Sequence, residues 1–252
     1  AFSMPLNRIP FMNIHLDNIT TEEALDYIDE WIASRRVGQI ITPNCDQIVQ
    51  VEKNPMLGPI WNSAELLFAD GHPLLWFAKW YKTPLKEKIN GSSFVPELCA
   101  RAAQKGYAVF LLGAGPGVAD KAAENLKETY PGIRIAGTFS PSYGFEKKPE
   151  EVAAINEMLR DSHADILILG VGVPKQEIFG YQNQEKYNIP VTINAGATID
   201  FLAGNKKRAP KWMVDGGLEW LYRTIKEPKR VGGRVLRDLA IFPLAWKYRP
   251  KK

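Results

Sequence analysis

Short apolar runs alternate with helical patterns through most of this 252-residue chain, and that alternation limits the fold more than any other feature. The runs are Gln39–Thr42, Leu66–Ala69, Ala108–Leu112, Ile133–Ala136, Ile166–Leu169 and Val191–Asn194. Each is strand-sized, and most are apolar at consecutive positions, as strands buried on both faces are. Helical patterns lie between them at Thr21–Ser34, Ser93–Lys105, Val118–Tyr130, Pro149–Ser162 and Lys175–Lys186. Thr20-Thr21-Glu22-Glu23 reads as a helix start, with a hydroxyl cap and acids in the first turn. A βαβα order of this kind predicts an α/β fold: a Rossmann-like, mostly parallel sheet with helices on both faces.

In such sheets ligands bind outside the carboxyl ends of the strands. The exits here are Thr42-Pro43-Asn44, Asp70-Gly71, Gly113-Ala114-Gly115-Pro116-Gly117, Gly137-Thr138, Gly170-Val171-Gly172-Val173-Pro174 and Ala195-Gly196-Ala197. Glycine permits close backbone approach, and the following helix offers free N–H groups to an anion. Several such turns on one rim point to a nucleotide or phosphate ligand, although tight βα turns explain each one singly. Asp70 is the acid of most interest. It stands at the end of an apolar run, either as a general base on the rim or as a cap for the helix near Pro73.

Several functions are excluded or weakened. There is no P-loop, no zinc-ligand spacing among three histidines and two cysteines, and no nucleophile elbow. The turn at Gly113 lacks the third glycine of a dinucleotide fingerprint, and no acid ends the next strand. Cys45 and Cys99 read as small inert core residues, so a reducing, cytoplasmic setting is expected. No signal-peptide pattern opens the sequence, and no apolar run approaches the ~20 residues of a membrane span.

Charge divides the chain. Residues 206–252 hold 14 of the 32 Lys/Arg and 4 of the 28 Asp/Glu, a net of +10, which leaves −6 for residues 1–205. Two parts are expected: a core over 1–205 and a basic helical appendage over 206–252, with helices at Gly217–Lys226 and Val231–Ala240. A basic tail in which Phe242, Trp246 and Tyr248 alternate with lysine and arginine suggests a polyanionic partner, or simply a solvated face. Trp76, Phe77, Trp80 and Tyr81 follow Asp70 at helical spacing, which favours core packing over a lipid-facing role.

Several blocks then carry a resemblance. They are Asp70-Gly71, Gly113-Ala114-Gly115, Gly170 through Pro174-Lys175-Gln176-Glu177, Ala195 through Asp200 to Gly204, Arg208-Ala209-Pro210-Lys211-Trp212, Gly217 through Arg223, and Glu227-Pro228-Lys229-Arg230. In order and spacing, from about Phe11 to Arg237, the chain resembles the WecG/TagA/CpsF family of bacterial glycosyltransferases. The resemblance implies an inverting transferase that moves a sugar from a UDP-sugar to an undecaprenyl-diphosphate-linked sugar, for teichoic acid or surface polysaccharide synthesis. N-acetylmannosamine is the first choice of donor sugar, with UDP-glucose or a UDP-uronic acid behind it.

By the same resemblance Asp70 is the catalytic base, and Thr42 and Asn44 line the pocket. Gln176 lies near the donor sugar or diphosphate, Asp200 contacts the nucleoside end, and Arg223 and Arg230 reach the diphosphate. Gly113, Gly115 and Gly172 belong to the phosphate-facing turns. Lys88 stands where many members carry arginine, keeping the charge without the bidentate fork. After Arg230 the chain reads Gly232-Gly233-Arg234, so one family arginine is shifted or lost. The loop Ser140 to Phe145 also departs from the family and leaves the sugar open. With no Asp-x-Asp pair, neither a metal nor a cofactor is expected. The expected partners are the two sugar substrates and an anionic membrane surface, with no nucleic acid and with homo-oligomerisation left open. The expected location is the inner face of the cell membrane, held peripherally. A nucleotide-binding module with a membrane-binding tail is the non-enzymatic alternative.

Overall fold

The structure, a computed structural model, describes residues 5–251, except for the side chain of Arg230. The chain opens with an antiparallel hairpin, β1 (Arg8–Phe11) and β2 (Ile14–Asp17), that the sequence reading had not separated from the N-terminal segment. Six further strands form one sheet: β3 (Gly38–Ile41), β4 (Leu66–Leu67), β5 (Ala108–Gly113), β6 (Arg134–Phe139), β7 (Ile166–Gly170) and β8 (Val191–Asn194). Their order is β4-β3-β8-β7-β5-β6, and every pairing is parallel. The expected α/β class holds, and the main sheet is parallel throughout.

The helices are α1 (Thr21–Ser34), α2 (Cys45–Lys53), α3 (Leu57–Asn62), α4 (His72–Trp80), α5 (Gly91–Lys105), α6 (Val118–Thr129), α7 (Pro149–Asp161), α8 (Lys175–Tyr187), α9 (Thr198–Leu202), α10 (Lys211–Asp215), α11 (Glu219–Lys226), α12 (Pro228–Asp238) and α13 (Ile241–Lys247). Helix α1 starts where Thr20 and Glu23 form a reciprocal capping box, which satisfies two otherwise orphaned N–H groups. Helices α2 and α3 were missed because both are short; α2 follows the β3 exit directly, and α3 follows α2 after three residues.

Strand alternation distributes the core. Ile40, Leu66, Val109, Leu111, Ile166, Ile168, Val191 and Ile193 point to the face covered by α1, α5, α6 and α9. The opposite face holds two separate apolar clusters. One joins Ile41 and Leu67 to the hairpin, α2, α3 and α4, and the other joins Phe110, Leu112, Leu167 and Leu169 to α7 and α8. Between them, Gln39, Thr192 and Asn194 occupy inward positions and are all buried. They form a polar seam beneath α8.

Helix α13 is seated on the core. Ile241 and Ala245 are buried, Ile241 joins the cluster around Leu74 and Tyr81, and Tyr81 OH donates to the Ala245 carbonyl at 2.6 Å. Arg237 pairs with Asp46 at 3.2 Å and Lys247 with Glu52 at 2.5 Å, both acids being on α2. Core packing was expected for all four aromatics of the α4 run. Tyr81 is buried, but Trp76 is 66% and Trp80 50% exposed, because their positions on the short α4 face away from the sheet.

The ends of β5, β7 and β8 meet backbone to backbone. A Cβ on Gly113 would lie 2.2 Å from the Gly170 oxygen, and a Cβ on Gly170 would lie 2.7 Å from the Gly196 oxygen. Gly113 also has φ +138°, a region side chains rarely adopt. Gly113→Ala should therefore cost about 2–4 kcal/mol through strain and overpacking. A urea unfolding midpoint equal to that of the wild type would show that the rim absorbs the methyl group.

Candidate active site

The exits of β3 and β4 come together first. Asp70 N–H donates to the Pro43 carbonyl at 2.9 Å, and Ile89 N–H donates to the Ala69 carbonyl at 3.1 Å. These bonds place Thr42-Pro43-Asn44, Asp70 and Lys88-Ile89 side by side on the carboxyl rim. Thr42 is buried, and Gly91 leaves the space between its hydroxyl and that of Thr198 open. Asn44 caps α2, its Oδ1 accepting from Gln47 N–H at 3.0 Å.

Asp70 is not a helix cap. The N-cap of α4 is Gly71, with φ +108°, and no side chain bonds to that terminus. Burial raises the Asp70 carboxyl to about 6. Charged neighbours then act in both directions: Arg223, Arg234 and Lys88 favour the carboxylate, and Glu219 opposes it. A carboxylate poised near neutrality and ringed by cations can take a proton from a hydroxyl while the cations face a departing anion.

The appendage supplies much of that ring. Arg223 lies on α11, held by Glu219 at 2.5 Å. Arg234, the basic residue after Gly232-Gly233, lies on α12, and the fold brings it to act on Asp70. The 230, 234, 237 spacing on one helix face was the signal that could have placed it. Arg230 belongs to α12 by its backbone, and its side chain lies outside the described residues. Glu219 was also missed, although it stands one helical turn before Arg223. Lys88 Nζ lies 3.4 Å from His72 Nδ1 and donates to the Val214 carbonyl at 3.4 Å, so it bridges the rim to the last turn of α10.

The second half of the rim is built from glycine turns. Gly113 serves the close strand approach described above, whereas Gly115 and Gly172 are more open. Gly172 leads into a cis Val173–Pro174 bond. Gln176, in the first turn of α8, is buried, and its Oε1 accepts from Gly172 N–H at 3.3 Å and Gly196 N–H at 3.2 Å. Asp200 lies half-buried in α9, which follows the Gly196 turn. In the 140–145 loop, Ser140 Oγ donates to the Ala114 carbonyl at 2.7 Å, and Tyr143 stands in solvent. No group of three or more His, Cys, Asp or Glu side chains among the described residues is arranged to hold a metal ion.

The profile of the glycosyl transferase WecG/TagA/CpsF family matches residues 9–252, nearly the whole chain. This chain belongs to that family. It is also 29% identical, over 226 residues, to a protein of Bacillus spizizenii (strain ATCC 23059 / NRRL B-14472 / W23) named N-acetylglucosaminyldiphosphoundecaprenol N-acetyl-beta-D-mannosaminyltransferase. The alignment covers 90% of this chain and 84% of that relative. The expected class is thus met: the chain is a WecG/TagA/CpsF glycosyltransferase, with a Rossmann-like parallel sheet.

The electrostatics of Asp70 can be checked directly. Followed by carboxyl ¹³C shifts, Asp70 should titrate near 6 in the folded protein. Among the described residues Arg223 favours the carboxylate most, so in Arg223→Ala the midpoint should move upward. A midpoint that stays put would separate Arg223 from the site.

Proposed function

We propose that this transferase moves N-acetylmannosamine from UDP to the N-acetylglucosamine of an undecaprenyl-diphosphate-linked acceptor. The observation that carries this reading is Asp70, free of any capping role and facing Arg223, Arg234 and Lys88 on one rim. The name of the Bacillus relative supplies the sugar and the acceptor.

Asp70 accepts the proton of the acceptor hydroxyl as its oxygen bonds to the anomeric carbon. The bond from that carbon to the diphosphate oxygen breaks on the opposite face, which inverts the centre. Arg223, Arg230, Arg234 and Lys88 offset the charge that develops on UDP. Thr42 and Asn44 line the sugar pocket, Gln176 and the Gly113, Gly115 and Gly172 turns form the diphosphate side, and Asp200 meets the nucleoside. In this reading the reaction uses no cofactor and no metal: the chain has no Asp-x-Asp pair, and these cations offset the leaving-group charge instead. Residues 206–252 act as the appendage that closes this site.

A panel of UDP-sugars with a GlcNAc-diphospho-polyprenyl acceptor, run in EDTA, tests the reading. UDP-N-acetylmannosamine should give the highest turnover. Asp70→Asn should lower kcat by roughly 10²–10⁴-fold with UDP binding retained. Preference for UDP-glucose or a UDP-uronic acid would reassign the donor, and UDP binding without any turnover would favour the non-enzymatic module.

The same appendage carries the membrane contact. Trp80 stacks on Trp246 with ring centroids 6.4 Å apart, Phe77 meets Phe242 edge-on at 5.7 Å, and the Arg249 guanidinium lies 4.0 Å from the Trp246 ring centre. Trp76, Trp80, Phe242 and Trp246 stay exposed beside this basic tail. Indole rings with neighbouring cations suit the headgroup layer of an anionic leaflet. No helix among the described residues is long and apolar enough to cross a membrane. In this reading the protein sits peripherally on the inner face of the membrane. Trp80→Ser with Trp246→Ser should reduce sedimentation with phosphatidylglycerol vesicles at least several-fold, and high salt should release the intact protein. Undiminished binding by the double variant would remove this surface from the role.

A further inference from the structure

One buried acid has no part in the transfer chemistry. Glu177, in the first turn of α8, is 1% exposed. Its Oε1 accepts from Gln176 Nε2 at 3.2 Å, and its Oε2 is buried without a hydrogen-bond partner. Its backbone carbonyl accepts from Gln39 Nε2 at 3.1 Å, and Gln39 Oε1 in turn accepts from Asn194 Nδ2 at 2.7 Å. Glu177 is thus joined to the sheet through its backbone and to the rim through its side chain.

We propose that Glu177 is a positioning residue: its carboxyl orients the Gln176 amide so that Gln176 Oε1 clamps the Gly172 and Gly196 N–H groups. The clamp ties the β7 and β8 exits into one surface for the nucleotide diphosphate. This rests on the transferase reading above. The amide of Gln176 has two ends of different kind. With its NH₂ held by an acceptor at Glu177, its oxygen must face the two glycine donors. Without that acceptor the amide is free to turn, and two rim turns lose their common anchor.

The arrangement calls for a neutral acid. The groups facing the seam from the packed elements are Gln39 on β3, Thr192 and Asn194 on β8, and Asn156 on α7, none of which titrates. Helix α3, which also packs on α8, has no charged residue. On α8 itself, Tyr187 pairs with Thr192 and burial raises its pKa, while Lys175 lies 3.6 Å from Glu146. Burial accordingly lifts Glu177 to about 8, against a smaller downward pull from the Gln176 bond. Because the folded value lies above the unfolded one, this group's stabilising contribution is complete below about 4.5 and is lost as pH rises through about 8. Ionisation would put an uncompensated charge under the rim and disturb the clamp.

The test compares wild type, Glu177→Gln and Glu177→Leu for kcat/KM and for calorimetric UDP affinity between pH 5 and 9.5, with urea stability across the same range. Wild type should show an alkaline decline near 8 in kcat/KM and UDP affinity, and a fall in stability. Glu177→Gln keeps an acceptor for Gln176. It should retain activity at pH 7 within roughly tenfold, lose the alkaline decline and keep the acid limb set by Asp70. Glu177→Leu should raise the KM for the UDP-sugar and lower kcat/KM by about 10²-fold, the scale of a small misplacement in a site. An unchanged alkaline decline in Glu177→Gln, wild-type kcat/KM in Glu177→Leu, or equal loss of stability with pH in wild type and Glu177→Gln would each overturn the proposal. If the wild type turns over no UDP-sugar, the transferase reading fails, and the UDP-affinity and stability profiles still decide the role of Glu177.

Discussion

The polar seam under α8 is the constraint on which the rest of the structure depends. Gln39, Thr192 and Asn194 project from the centre of the sheet, where apolar residues would ordinarily sit, and must be paired. Gln39 and Thr192 find their partners on α8, which approaches closely, and Asn194 Nδ2 bonds to Gln39 Oε1 and the Ile40 carbonyl on β3. A Cβ on Gly180 would lie 2.3 Å from Gln39 Oε1. Such contact fixes the height and rotation of α8, and with them the direction in which its first turn presents Gln176. The two apolar clusters on either side then need only fill volume. Orientation at the rim comes from hydrogen bonds, which are directional, and cohesion from burial, which is not.

The other half of the site depends on a different kind of contact. Asp70 is fixed by the sheet, but Arg223 and Arg234, two of the cations that act on it, belong to helices near the end of the chain. Those helices are seated by Ile241 and Ala245, which are buried, and by the Arg237–Asp46 and Lys247–Glu52 pairs, in which the basic partners are more than half exposed. Exposed pairs contribute at most about 1 kcal/mol and weaken with salt. The apolar anchors therefore hold α13, while the Arg237–Asp46 pair ties α12 and the Lys247–Glu52 pair ties α13 to α2. An acid raised by burial and lowered by cations on α11 and α12 responds to how firmly those helices are seated.

Much of this was legible in the sequence. The βα alternation placed all six strands of the main sheet, and Thr21–Ser34 and Val191–Asn194 were read with the observed ends. Continuous apolar runs made the strands visible, and the Thr20 cap marked the start of α1. The hairpin escaped because each strand has four residues and Pro10 interrupts the first. Asp70 stood out because an acid at a strand exit is chemically odd. Arg234 and Glu219 did not, since their relevance comes from the fold of α11 and α12 over the rim. Glu177 was seen only as part of a motif. That it is buried and uncompensated follows from the close approach of α8, which no local pattern encodes. The exposure of Trp76 and Trp80 is similar, since helical spacing gives a stripe but not the object it faces.

Helix α4 joins the two ends of the problem. It begins at His72, two residues after Asp70, and runs to Trp80, whose ring stacks on Trp246 of α13. At about 1.5 Å per residue the helix is roughly 13 Å long, so one rigid element spans the distance from the reacting carboxylate to the exposed indoles. A diphosphate-linked sugar on a polyprenyl chain stands at a fixed height above the leaflet. In the proposed orientation, burying Trp76, Trp80 and Trp246 at the headgroup level sets the height of Asp70 by the length of α4. The same contact would press α13 onto Tyr81 and so steady the helices that carry Arg223 and Arg234. The aromatic surface would then position the base and complete its ring of cations in a single step.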